Sequence, residues 1–168
     1  MTEADFRDAF QRHQTTVYRF AYRMTGSSAT AEDVVQDCFV TYWRRPEAYD
    51  PSRGLLRSFL LGVARNLVLK RWRSDRRHEA LSDVLEDESW SCGPLDLAEQ
   101  ERAETVKRAV LQLPPLQREA LILAEYEELS LEEIAAATGV EIAAVKSRLH
   151  RARGNLRQML EPLFAMER

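Results

Sequence analysis

The apolar residues of this chain recur at helical spacing along almost its entire length, and this periodicity restricts the fold more than any other feature. One set runs from Phe6 to Met24 and stops at Gly26, and the next extends from about Thr30 to Trp43. Residues three and four apart lie on one face of a helix, so each set marks a helix with one buried side. No run alternates with period two for long enough to form a strand. The sequence therefore predicts an all-α fold.

Charge divides the chain into blocks. Residues 44–78 carry ten basic side chains and three acids, whereas residues 79–104 carry nine acids and a single arginine. The acidic block also contains serine, glycine and proline, which is typical of a solvated linker. We expect two small helical domains, residues 1–78 and 105–168, joined by an acidic flexible linker at 79–104.

Composition excludes several classes of protein. No apolar run approaches the roughly 18 to 20 residues of a membrane span, and the acidic N-terminus is unlike a secretory signal, so we expect no membrane span and a cytoplasmic protein. Cys38 and Cys92 form no disulfide framework and lack histidines at metal-ligand spacing, so we expect no metal and no cofactor. We also expect no enzymatic activity, because no phosphate loop or nucleophile motif is present.

A cationic stripe is predicted on the third helix, whose apolar face begins at Leu56. At 100° per residue the stripe side chains fall within about 60° of one another. Such a surface suits capture of single-stranded nucleic acid, because cations follow phosphates and flat side chains meet unstacked bases. Nearby Trp72 either joins this surface or is a core aromatic that closes the helix against its neighbours. The stripe consists of Asn66, Lys70, Arg73 and Arg77.

The C-terminal part carries a helix-turn-helix pattern. Ser130 and Glu133 form a capping box ahead of a short apolar stripe, and Gly139 supplies the turn before a basic helix. In this motif the second helix enters the major groove through its N-terminal half. The predicted buried stripe of that helix is Ile142, Val145, Leu149, Ala152 and Leu156. The candidates for DNA contact are Lys146 and Arg151, with His150 either contacting a base or lying on the surface without a role.

Three sequence motifs follow one another along the chain, and their order indicates a family. Residues 31–43 read AEDVVQDCFVTYW, and residues 58–67 read SFLLGVARNL, followed by Arg73. Together with the C-terminal motifs they resemble the extracytoplasmic-function sigma factors of bacterial RNA polymerase. In that family the first segment is similar to the polymerase-docking helix and the second to the promoter-melting helix. The segments similar to the promoter-reading domain are 113–120, 131–135 and 145–153.

The resemblance implies a promoter-specificity subunit that binds core RNA polymerase and promoter DNA and is restrained by an anti-sigma factor. Residues 1–78 would dock on the clamp helices of the largest subunit and take up the minus-ten element as a single strand, and residues 105–168 would read the minus-thirty-five element as duplex. Polymerase docking is implied for Asp33, Gln36 and Asp37, minus-ten binding for Ser52, Arg53, Asn66, Lys70, Arg73 and Arg77, and minus-thirty-five binding for Ala143, Lys146, Ser147, His150 and Arg151.

The alternative is a stand-alone helix-turn-helix regulator, in which the N-terminal domain would serve dimerisation or effector binding. The acidic face of the second helix and the cationic stripe on the third favour the sigma factor, although for an acidic face alone plain solvation is the default. Some positions depart from the family pattern: Phe59 stands where tryptophan is usual, Lys70 where an acid is frequent, and Ala143 where glycine is usual.

Overall fold

A computed structural model of the chain describes residues 1–75 and 97–165, and these residues form helices joined by short connections. No strand occurs among them, so the all-α prediction is confirmed. A 3-10 turn at Pro46–Ala48 follows the second helix, and a π-helical turn at Ile122–Tyr126 follows the fifth. The helices are α1 Glu3–Thr25, α2 Ser28–Arg44, α3 Leu56–Asp75, α4 Leu97–Gln112, α5 Pro115–Leu121, α6 Leu131–Thr138 and α7 Ile142–Ala165.

Local capping explains where several helices begin and end. At the start of α6, the Ser130 hydroxyl accepts from the Glu133 backbone N–H at 3.1 Å, and the Glu133 carboxylate accepts from the Ser130 N–H at 2.8 Å. This reciprocal pair satisfies two of the free N–H groups at the helix start, and the backbone hydrogen bond from Ser130 lowers the pKa of Glu133. Gly26 after α1 and Gly139 after α6 adopt φ values of 70° and 71°, which favour glycine. The capping box and the glycine turn are therefore where the sequence predicts them.

Helices α1 to α3 share a hydrophobic core, and this core continues into helices α4 to α7. Phe20, Val34 and Leu60 come from α1, α2 and α3 and are fully buried. Cys38 lies among them, with its Sγ 3.5 Å from the Leu60 carbonyl oxygen, and burial raises the pKa of the Cys38 thiol to about 12. The thiol therefore stays protonated and unreactive at neutral pH.

Helices α4 to α7 form the second group around α7. Val145, Leu149 and Ala152 are buried as predicted, and Leu156 is partly buried against the core. Ile142 is 36% exposed and does not belong to the buried stripe. Ile142 is the first residue of α7, and the buried stripe begins one turn later at Val145. The apolar pattern of α7 thus begins one turn before the helix enters the core.

The structure also bears on the predicted linker. Helix α4 starts at Leu97, so residues 97–104 of the predicted linker are helical, while residues 79–96 lie outside the described part of the chain. Residues 97–104 are helical because they form the first turns of α4. The later part of that helix is anchored by Ala109 and Val110, which are buried against neighbouring helices.

The two groups pack on each other, chiefly through α3 against α6 and through α1 against α4. Within residues 1–75 and 97–165 no helix is long and apolar enough to cross a membrane. The same residues hold no cluster of three or more histidine, cysteine or carboxylate side chains that could bind a metal ion.

Candidate nucleic-acid and protein interfaces

The acidic face of α2 is a single exposed stripe. Asp33, Gln36 and Asp37 follow one another at helical spacing and are all exposed, so that one partner surface can contact all three. The stripe continues toward the end of α2 with Val40 and Trp43, which are 40% and 47% exposed. An acidic surface that ends in an apolar patch is thereby presented to solvent.

Sequence reasoning missed that an arginine from α3 binds this acidic stripe. Arg71 donates from Nη1 to Asp33 Oδ2 at 3.2 Å and from Nη2 to Asp37 Oδ2 at 2.8 Å. The carboxylates keep about half or more of their side-chain surface exposed, at 60% and 52%. Exposed ion pairs contribute only about 0 to 1 kcal/mol to stability. Arg71 therefore orients the two carboxylates, and both remain accessible to a partner. Arg71 is one of several arginines in its block, and no local signal marks it as the partner of α2.

The cationic stripe on α3 is present as predicted where the structure describes it. Asn66, Lys70 and Arg73 are exposed at helical spacing, whereas Arg77 lies outside the described residues. The Asn66 side-chain oxygen accepts from Arg65 Nη1 at 3.2 Å, which leaves the amide N–H groups of Asn66 available for a ligand. Asparagine amides and arginine guanidiniums are suited to base edges and phosphates respectively.

Trp72 is partly buried and packs against the core. The guanidinium carbon of Arg118 lies 5.5 Å from the centroid of its ring. This arrangement favours the second of the two interpretations of Trp72, an aromatic that closes α3 against its neighbours.

The loop before α3 has a defined conformation. Asp50 Oδ1 accepts from both the hydroxyl and the backbone N–H of Ser52, at 2.7 and 2.9 Å, and these hydrogen bonds lower the pKa of Asp50. The Tyr49 hydroxyl donates to the Gly54 carbonyl at 3.2 Å and ties the two ends of the loop together. Ser52 and Arg53 are exposed at its tip. Short hydrogen-bonded loops of this kind are suited to holding a ligand without further ordering.

The second helix of the helix-turn-helix presents all its predicted contact residues on one face. They lie in the N-terminal half of α7 and are exposed: Ala143, Lys146, Ser147, His150 and Arg151. Arg148 points the other way, and its Nη1 donates to Glu119 Oε1 at 3.2 Å, which braces α7 against α5. Arg153 pairs with Glu125 at 2.6 Å, and that pair turns its guanidinium back toward the protein. The outward face of α7 is therefore cationic and exposed at its N-terminal half.

The two predicted DNA surfaces meet at a cleft of about 550 Å³. Arg65, Trp72 and Arg73 of α3 line one side, and Arg148 and Arg151 of α7 line the other. The sequence places these groups on separate domains and gives no indication that they share a cleft.

Two sequence families match the chain. Residues 9–78 match the family described as Sigma-70 region 2, and residues 103–156 match Sigma-70, region 4. These ranges include most of α1, all of α2 and α3, and most of α4 to α7.

Individual relatives agree with this result. The chain is 32% identical over 163 residues to the ECF RNA polymerase sigma factor RpoE of Cereibacter sphaeroides, an alignment that covers 93% of this chain and 86% of the relative. It is 36% identical over 154 residues to the ECF RNA polymerase sigma factor SigE of Mycolicibacterium smegmatis, with 89% of this chain but only 59% of that longer relative covered.

A solved structure extends the similarity to three dimensions. The sigma factor RpoE of Bartonella quintana, crystallised with the anti-sigma factor NepR, superposes with a TM-score of 0.79 at 27% identity, covering 94% of this chain and 97% of that one. Because both halves superpose together, the likeness includes their order and their packing. The chain belongs to the extracytoplasmic-function sigma factors of RNA polymerase.

Proposed function

We propose that this protein directs bacterial core RNA polymerase to promoters by docking through α2, capturing the melted minus-ten strand with α3 and reading the minus-thirty-five duplex with α7. The observation that carries the proposal is the presence of both sigma regions on one chain, at residues 9–78 and 103–156. A stand-alone helix-turn-helix regulator needs only the second. The protein contributes specificity and strand separation and performs no catalysis of its own, and it works in the cytoplasm, where polymerase and chromosome are.

Polymerase docking rests on the acidic stripe of α2. Asp33 and Asp37 offer carboxylates to cations on the clamp helices of the largest subunit, and the Gln36 amide between them can both donate and accept. The exposed Val40 and Trp43 add apolar area beside these charges. A charged rim beside a partly exposed aromatic is the usual composition of a protein interface.

Capture of the minus-ten element needs a surface for both backbone and bases. Lys70 and Arg73 supply charge for phosphates, while Asn66 supplies an amide for a base edge. The loop at residues 49–54, with Ser52 and Arg53 at its tip, would hold a base flipped out of the duplex. Flipping costs a few kcal/mol, which contacts in the loop must recover.

The domain roles follow from this division. We assign docking and minus-ten binding to residues 1–78 and minus-thirty-five binding to residues 105–168, with the acidic segment 79–104 between them. The Bartonella relative was crystallised with the anti-sigma factor NepR, and its similarity over nearly the whole chain supports an anti-sigma factor as a further partner of this protein.

The docking assignment predicts that reversing two charges abolishes polymerase binding. Asp33→Lys with Asp37→Lys should weaken binding to core polymerase at least about 100-fold, because both attractive pairs become repulsive and the new lysines also face Arg71. Binding is measured by titrating labelled core polymerase with the wild-type and variant proteins.

The matched control for charge is Glu47→Lys with Glu161→Lys, which makes the same change in net charge at exposed acids outside the stripe. This control should bind within a few fold of the wild type. Equal losses in both double variants would show that net charge alone governs binding and would remove the assignment to α2. A folded wild type that fails to bind core polymerase would instead favour the stand-alone regulator.

A further inference from the structure

The cleft between α3 and α7 is lined by four arginines. Arg65 and Arg73 belong to α3, and Arg148 and Arg151 belong to α7. No carboxylate lines the cleft among the residues that the structure describes. Cations from two distant parts of the sequence thus surround one concave space, and this distribution of charge favours an anionic ligand.

Two of these arginines share a single buried carboxylate. Arg65 donates to Glu119 from Nε at 2.8 Å and from Nη2 at 3.1 Å, and Arg148 donates to it from Nη1 at 3.2 Å. Glu119 is fully buried, and the side chains of Arg65 and Arg148 are only 14% and 21% exposed. A ligand therefore meets guanidinium groups that are already held in place, which lowers the entropic cost of binding.

The other two arginines have no counter-charge in the described part of the chain. Arg73 and Arg151 are exposed, and neither makes a hydrogen bond or an ion pair within residues 1–75 and 97–165. Four arginines and the single carboxylate of Glu119 leave the cleft with three uncompensated positive charges. Guanidinium groups bind phosphate oxygens through paired hydrogen bonds, so several phosphate groups match this charge.

The cleft also has an apolar part. Its apolar lining residues are Leu69, Trp72, Pro114, Pro115 and Leu116. Leu116 is 44% exposed although it is apolar, and the Trp72 indole lines the cleft beside it. A flat ring can cover such a surface, and stacking on an indole tolerates any nucleic-acid base because every base has a π-face.

The size of the cleft and one neutral donor narrow the class of ligand. The volume of about 550 Å³ lies within the roughly 300 to 1,000 Å³ of sites that hold small molecules. Gln117 lines the cleft, and its Oε1 accepts from Asn155 Nδ2 at 2.8 Å, so the amide N–H groups of Gln117 stay available to a ligand. Several negative charges, a flat ring and polar groups between them describe a nucleoside polyphosphate.

We propose that the cleft between α3 and α7 binds a nucleoside triphosphate. The phosphates lie against Arg73, Arg148 and Arg151, and the base lies against the indole of Trp72. This site goes beyond promoter recognition and does not depend on the proposed function. One consequence does rest on that function: a bound nucleotide occupies Arg73 and Arg151 and competes with promoter DNA for these two side chains.

Calorimetric titration of the full-length protein with ATP and with GTP tests the proposal, without Mg²⁺ and at about 50 mM salt, where phosphate contacts are strong. We expect one site with a dissociation constant of about 100 μM or lower for each nucleotide. The two constants should agree within about fivefold, because stacking tolerates either base. Adenosine carries the ring without the charge, and inorganic tripolyphosphate carries the charge without the ring. Each should bind at least about tenfold more weakly than ATP.

A pair of double variants tests the role of the arginines. Arg73→Met with Arg151→Met should weaken ATP binding at least about 30-fold, because two charge-assisted contacts are lost while the pairing of Glu119 is untouched. The matched control is Lys70→Met with Lys146→Met, which removes the same charge from exposed positions of the same two helices outside the cleft. The control should lose less than about threefold.

A second pair of variants tests the apolar part without disturbing the core. Leu116→Glu places a carboxylate in the cleft at an exposed position, and we expect ATP binding to weaken at least about tenfold through repulsion and loss of apolar contact. Leu97→Glu is the control, because Leu97 is 70% exposed and does not line the cleft. It should bind ATP within about twofold of the wild type.

Three results would overturn the proposal. They are the absence of saturable binding of ATP and GTP, binding of tripolyphosphate as tight as that of ATP, and equal losses in a variant and its control. The second result would mean that the cleft only collects charge, and the third that net charge governs binding. None of these measurements involves polymerase or promoter DNA, so a failure here leaves the proposed function standing, and a failure to bind polymerase leaves the nucleotide site standing.

Discussion

Replacing Lys146 and Arg151 together with alanine is expected to weaken binding of the polymerase-bound protein to a minus-thirty-five duplex by about 100-fold. Both side chains are exposed on the N-terminal half of α7, the part of a recognition helix that enters the major groove. Loss of a cation that contacts base edges or phosphates costs about 1 to 3 kcal/mol. Loss of two such cations should also lower the slope of log affinity against log salt by about two.

The measurement is fluorescence anisotropy of a labelled duplex against assembled holoenzyme at several salt concentrations. The control is Arg153→Ala with Arg157→Ala, which removes the same charge from the later turns of α7, where Arg153 already pairs with Glu125. The control should lose less than about fivefold. If the two double variants lost equal affinity, binding would reflect the overall charge of α7, and the assignment of Lys146 and Arg151 would be wrong. Polymerase binding should be unchanged in both.

The helices and their ends could be predicted because their causes are local. Apolar residues that recur every three or four positions specify which side of α1 or α7 is buried. Ser130, Glu133 and Gly139 define the two ends of α6 within one short stretch of the chain. The same locality explains why the exposed faces of α2, α3 and α7 were predictable. A polar stripe on an amphipathic helix is exposed whatever the helix packs against.

The contacts between the halves could not be predicted in this way. Glu119 and Glu127 are two of seven acids between residues 119 and 141, and nothing in their neighbourhood separates them from the others. Their partners Arg65 and Arg57 lie 54 and 70 residues away. Burial of these two carboxylates therefore depends on how the helices pack in the tertiary structure, and a helical wheel shows only the faces of a single helix. The pairing of Arg71 with the acidic stripe of α2 could not be predicted for the same reason.

Arg118 is a further residue whose importance is visible only in three dimensions. The sequence shows an arginine within a segment that resembles a promoter-reading domain, and nothing local marks it as a structural residue. In the structure its guanidinium donates to the carbonyl oxygens of Met24 and Leu111 and, at 3.0 Å, to that of Leu113. These carbonyls lie in the last turns of α1 and α4 and just after α4, where no helical N–H is available to them. Arg118 therefore closes the ends of two helices at once.

Replacing Arg118 with methionine should consequently destabilise the protein far more than the same replacement of an exposed arginine. The change keeps an unbranched aliphatic stem of similar length but removes every donor, so three carbonyl groups lose their partner in a largely buried site. At about 1 to 3 kcal/mol for each unsatisfied group, with partial rescue by water, we expect a loss of at least about 3 kcal/mol in the free energy of unfolding. For a chain of this size that corresponds to a decrease of about 10 °C in Tm.

The measurement is thermal and urea unfolding followed by circular dichroism, with Arg108→Met as the matched control. Arg108 has a side chain that is 70% exposed and, within the part of the chain that the structure describes, pairs with Glu104 on its own helix, so its loss should cost less than about 0.5 kcal/mol. Arg118→Lys should fall between wild type and Arg118→Met, because an ammonium keeps the charge but cannot present a planar fork to three carbonyls. Burial lowers the pKa of Arg118 only to about 10, so the wild-type guanidinium is charged throughout the neutral range. A methionine variant as stable as Arg108→Met would mean that water satisfies these carbonyls equally well and that Arg118 has no role in joining α1 to α4.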